Sequence, residues 1–174
     1  TTTQMESLTT TAIAALATTQ IQALGATNIS ALDEDQAAAL TTTQIAGLST
    51  TQVAALTATD IGELSTTQVR AFTQTQIARL STEAFSALDA AQAAALTATQ
   101  LVGLSTTQVA ALSSDDVAEF TATQIASFST AQVRAISETN MAALTETQVG
   151  ALTTTQLKAM TATNLAALTD TQVA

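Results

Sequence analysis

The sequence predicts an all-α solenoid of very short helices, one for each eight residues, running as a single domain over residues 1–174. Three observations predict it: an unbroken eight-residue period, a helix-start signal in each period, and charges sorted by sign within it.

The period is carried by bulk. From Leu8 to Leu168 every eighth residue is Leu, Phe, Ile or Met, without one slip in register. With that residue as position 8 of the octad, position 5 is the second bulky place: Ile13, Ile21, Ile45, Val53, and onward to Leu165 and Val173. Position 4 is mostly Gln, and position 1 is Thr, Ser or Asp except at Ala17 and Gly25. A fixed period held through about 21 octads marks a repeat architecture.

An uninterrupted α-helix does not suit this period. At about 100° per residue, eight residues overshoot two turns by roughly 80°, so the Leu stripe would wind around the helix. Coiled coils absorb smaller mismatches than this. A strand puts positions 5 and 8 on opposite faces, because their separation is odd. A helix that stops and restarts in every octad remains.

The octad supplies the start signal. Ser49 followed by Gln52 has the spacing of a capping box, in which the hydroxyl takes a free backbone N–H and the amide reaches back. Leu48 and Val53 have the spacing of a hydrophobic staple. Positions 5 and 8 of one octad are three apart and share a helix face.

The charges agree. Eleven of the 14 acids, among them Asp33, Asp60, Asp89, Asp116 and Glu146, occupy positions 1 to 4, while Arg70, Arg79, Arg134 and Lys158 all occupy position 6 or 7. Acids at helix starts and bases at helix ends suit the macrodipole of a helix confined to one octad. Positions 5 and 8 are therefore expected inward, with Ala at the tight contacts and Thr and Gln outward.

A longer period is superimposed. Residues 32–87 align with 88–143 at an offset of seven octads with about half the positions identical, and both blocks begin with LDxxQAAAL. Ala37 and Ala93 there replace the position-5 bulk, which duplication with local repacking explains better than a functional notch. Position 7 alternates between Ala (55, 71, 87) and Gly47, Glu63 or Arg79, which points to two octads per coil, with three as the alternative.

Composition narrows the function. The formal charge of −10 disfavours nucleic acid and anionic membrane surfaces, and suits solubility. Without Cys there is no disulfide frame, and no apolar run approaches a membrane span. Thr1 opens in the middle of repeat text without a leader, as a cut inside a longer repeat would, and neither end carries a polar residue at positions 5 or 8. His, Cys and Tyr are absent, so most general bases and nucleophiles are missing. The carboxylate pairs Asp33 with Asp35 and Asp115 with Asp116 have nothing to desolvate them at a helix start, and DEDQ at 33–36 lacks the spaced ligands of a calcium loop. No catalytic residue, cofactor or metal site is expected, and the chain is expected not to be an enzyme. The Thr-x-Thr rows, such as Thr41 with Thr43 and Thr57 with Thr59, would stack into hydroxyl ladders of the kind that ice- or glycan-binding surfaces use.

The phrase L-[ST]-x-T-Q-[IV]-x-A resembles the octapeptide tracts of very large secreted bacterial surface proteins, adhesin-like proteins among them, and the resemblance spans essentially the whole chain. It implies an extracellular or cell-surface bacterial setting and a spacer, adhesin or fibre role, and it transfers no functional residues. The function expected is structural: a stalk, matrix or filament segment that self-associates head to tail, with an adhesin or ice- or glycan-binding surface as the alternative. Neither nucleic-acid partners nor membrane insertion is expected.

Overall fold

The computed structural model describes residues 1–173. It contains 21 helices among them, from Thr2–Glu6 to Ala162–Ala166, one per octad and four to six residues long. The expected solenoid of short capped helices is the fold.

Each helix begins on a position-1 cap. Ser49 sits in extended conformation (φ −67°, ψ 155°) and its hydroxyl accepts the Gln52 N–H. The same arrangement opens every helix except the two whose caps are Ala17 and Gly25, which have no side-chain acceptor. Eleven of the helices end as they reach position 8, and the other ten end one or two residues sooner. Leu40 is already extended (φ −62°, ψ 126°), and its N–H bonds back to the Ala37 carbonyl, three residues earlier. Where position 8 closes the helix, it and the next position 1, both extended, make the corner, as Leu40 and Thr41 do. Among the described residues none has a positive φ. The corners accordingly do not require glycine, whose usual use is such conformations, and Gly25 at one of them is in ordinary extended conformation.

The corners wind the helices into a coil with positions 5 and 8 inside. One continuous apolar core runs from Met5 to Met160, with Ile13, Ile21, Val53, Ile61, Leu101 and Val109 wholly sealed from solvent. Phe120 and Phe128, position-8 residues of adjacent octads, meet edge to face with ring centroids 5.9 Å apart. That geometry suits the quadrupoles of aromatic rings.

Two expectations are corrected. The position-4 glutamines are not outward: Gln36, Gln44, Gln52 and Gln132 are each 2% exposed. Nor does a coil hold two octads. Residues facing one another on successive coils are 28 apart at the Gln52–Leu24 bond, and Gly103 faces Gln74 at nearly the same separation, 29. Twenty-eight residues are three and a half octads, so helices of successive coils are staggered like bricks, the start of one over the end of another. Each helix accordingly packs on the third helix along, and the joint of Glu34–Ala39 with Ala58–Gly62 is the loosest in the stack. The tight contacts fall to glycine as well as alanine: a Cβ at Gly47 would lie 2.0 Å from the Thr18 methyl.

Candidate functional site: the joint between coils

The stagger places the amide of each position-4 Gln over the end of a helix in the coil below. A helix end leaves its last carbonyls without N–H partners. Gln52 fills that need at Leu24: its Nε2 donates to the Leu24 carbonyl and also to that of Ile21, which the Leu24 N–H already bonds, each at 2.8 Å. Its Oε1 meanwhile accepts the Ser49 N–H at 2.8 Å. One side chain therefore closes the start of its own helix and the end of another. Gln36, Gln44, Gln68, Gln100 and Gln132 repeat the arrangement, donating to position 5 and position 8 carbonyls 31 and 28 residues back.

The natural replacements grade the joint. Asn140 and Asn164, one methylene shorter, reach only the position-8 carbonyls of Leu112 (2.7 Å) and Ile136 (2.9 Å). Asp60 and Asp116 have no N–H to donate. Each turns its Oδ2 to its own cap, accepting from Thr57 N and Ser113 N at 2.7 Å.

Around Asp60 the joint is compromised in several ways at once. Ala37 leaves a cavity of about 20 Å³ walled by Leu32, Leu40, Ile45, Leu56 and Leu64. A space of that size holds about one water, so the notch is no ligand pocket. Glu63 Oε2 is buried without a hydrogen-bond partner. Burial pushes the Glu63 carboxyl above the ordinary carboxylate range, and the nearby charges of Asp60, Glu34 and Asp33 push it further. Glu119, seven octads on, is raised by burial and then by Asp116, Asp89 and Asp115. Among the described residues no three acidic side chains come together as metal ligands.

The other sequence candidates resolve into caps. Asp33 Oδ1 accepts the Gln36 N–H at 2.9 Å, while Asp35 and Asp115 lie exposed in the first turns of their helices. Thr41 Oγ1 accepts the Gln44 N–H at 3.2 Å and donates to Gln44 Oε1 at 3.1 Å, so the position-1 half of each Thr row is engaged within the fold. Thr43 and Thr59 stay exposed. Arg70, Arg134 and Lys158 occupy last turns, where a cation is favourable.

Fold and joint together define a repeat protein of the all-α solenoid class. A family model described as the ALTTAQ repeat matches residues 29–66, 109–146 and 121–154. Its phrase corresponds to Ala39-Leu-Thr-Thr-Thr-Gln44 here, from position 7 of one octad to position 4 of the next. That span holds the core Leu, the cap and the Gln of the joint. No curated protein and no solved structure matches the chain. Among the described residues no helix is long and apolar enough to cross a membrane.

Proposed function

We propose that the chain is a structural element, a rod whose length grows with octad number and whose coils add end to end on a bacterial cell surface or in its matrix. The observation that carries this reading is the sameness of the joint. The coils present amide donors along one edge and position-8 carbonyls without backbone partners along the other, so the edge of one coil complements the opposite edge of another. Contacts of that head-to-tail kind propagate instead of closing.

The outermost edges have this character. Leu157 is 39%, Leu165 52% and Val173 64% exposed, along an open groove of about 480 Å³ that also includes Leu152 and Leu168. At the other edge Gln4 and Gln20 are exposed, their oxygens already taken by Thr1 and Ala17 N–H groups. Placed on the groove in the internal register, Gln4 of a second copy would meet the Val149 and Leu152 carbonyls, and Gln20 those of Leu165 and Leu168. The extracellular setting rests on the resemblance of the octad to secreted surface-protein tracts.

Electron microscopy and sedimentation of the 174-residue chain test this reading. Thin unbranched filaments, favoured by salt that screens the net charge, are expected. Only monomer at high concentration and high salt would refute it. Leu157→Glu with Leu165→Glu should abolish the filaments while leaving the helical circular dichroism intact.

A further inference from the structure

The coil length sorts the charges. With each residue placed within its 28-residue coil (the residue number less whole multiples of 28), Arg70 falls at place 14, Lys158 at 18, Arg134 at 22 and Arg79 at 23. All 14 acids fall between place 26 (Glu138) and place 7 (Asp35, Glu63, Glu119), a run of ten places across the coil boundary. The acids thus form one stripe along the solenoid, and the bases lie on another side. The charges that act on Glu63 and Glu119 come partly from the coil below: Asp33 and Glu34 for the first, Asp89 for the second.

The stripe is dense. The chain makes about six coils, and packed helices lie about 8–10 Å apart, so roughly one negative charge falls every 4 Å along the axis. That approaches half the axial charge density of duplex DNA, about one per 1.7 Å. Solubility alone requires charge anywhere on the surface. Gathering it on one face adds self-repulsion, and here the fold bears that repulsion with a buried Glu63 Oε2 that no donor reaches. Cations set along that face would relieve the repulsion.

We propose that this acidic face is a docking surface for an extended cationic polypeptide, lying along the solenoid axis with its Lys or Arg side chains against successive coils. An extended chain presents alternate side chains every ~6.6 Å on one face. That spacing is short enough for a cation to meet every coil. The surface is independent of the coil edges and of whether they polymerise.

Titration with fluorescent decalysine tests it. Binding is expected at about 50 mM salt and steep weakening by about 200 mM, since the contacts are exposed ion pairs. A charge isomer separates the stripe from net charge. It carries Glu6→Gln, Glu34→Gln, Glu83→Gln, Glu138→Gln and Glu146→Gln, with Thr42→Glu, Ala98→Glu, Thr106→Glu, Thr130→Glu and Thr154→Glu on the other side, each new acid in a first helical position. It should bind about tenfold or more weakly, because the charges are dispersed. Equal affinity in the isomer, or no binding by the parent chain, would overturn the proposal. If the isomer loses its helical circular dichroism, a second variant decides: Arg70→Gln, Arg79→Gln, Arg134→Gln and Lys158→Gln together. The stripe requires an affinity within about twofold of the parent, whereas control by net charge would tighten it markedly.

Discussion

Gln52 and Leu24 lie 28 residues apart, yet the glutamine amide donates to the leucine carbonyl at 2.8 Å. That bond recurs from coil to coil and makes position 4 the structural centre of the octad. A mid-surface Gln is ordinarily replaceable. This one is buried, with acceptor and donor ends both engaged.

The first prediction follows for Gln108, whose Nε2 donates to the Ile77 and Leu80 carbonyls at 2.9 and 3.0 Å. Gln108→Ala leaves the Leu80 carbonyl and the Ser105 N–H without their partner and should cost about 2–4 kcal/mol for the two together. Leu104→Ala and Val109→Ala, in the core, should cost about 2–3 kcal/mol each. Thr107→Ala, at an exposed position, should stay within about 0.5 kcal/mol. Thermal melts that rank Thr107 beside Gln108 would show the joint to be unimportant.

How much of this was legible beforehand differs by residue. The caps, the helix per octad and the inward positions follow from local chemistry, and local chemistry is what a repeat prints in its text. Half of the Gln role was legible too, because Gln52 bonds Ser49 three residues away. The other half depends on which carbonyl lies in the coil below, and no local pattern states that. The alternation at position 7 suggested two octads per coil, but an alternation cannot survive a block of seven, which is odd. The better clue was that block itself: with three and a half octads per coil, seven is the smallest whole number of octads that completes whole coils. Gly47 and Gly103, Asp60 and Asp116, and Glu63 and Glu119 are all spaced by that block because they occupy the same column two coils apart.

The glycines give a paired prediction. A Cβ at Gly103 would lie 2.6 Å from the Gln74 carbonyl oxygen, whereas at Gly62 and Gly150 it meets nothing within 4 Å. Gly103→Ala should therefore destabilise by about 1–3 kcal/mol through overpacking. Gly62→Ala and Gly150→Ala, within helices and unobstructed, should stabilise by about 0.5–1 kcal/mol. Chemical denaturation of the three variants checks both signs at once.

The stripe gives a pH dependence. The folded chain holds the Glu63 and Glu119 carboxyls above the unfolded value of 4.5, so it binds those protons more tightly than the unfolded chain. Their contribution to stability consequently rises as pH falls from neutrality through the folded pKa, and levels off below 4.5. Glu83 is lowered by hydrogen bonds at its helix start and works the other way, but it is fully exposed and screened. Melting temperature should rise on mild acidification, and Glu63→Gln with Glu119→Gln should flatten the rise. A parent chain that only loses stability over that interval would contradict this.

Deletion tests the block. Removing residues 32–87 joins Ala31 to Leu88 in register and takes out two complete coils. The shortened chain should fold to the same helicity per residue with a lower melting temperature, as quasi-one-dimensional repeats do. Removing 28 residues instead, 57–84, cuts an octad in half and should abolish cooperative unfolding.

The coil length is tested most directly by paired spin labels, since the chain has no cysteine of its own. With one label at Glu83, partners at Thr99, Thr107 and Ala111 stand two, three and three and a half octads away. Glu83 and Ala111 border the same groove between coils. Double electron–electron resonance should give its shortest distance for the pair at 83 and 111. A shortest distance at 99 or 107 would contradict the three-and-a-half-octad coil, and with it the joint made by the glutamines.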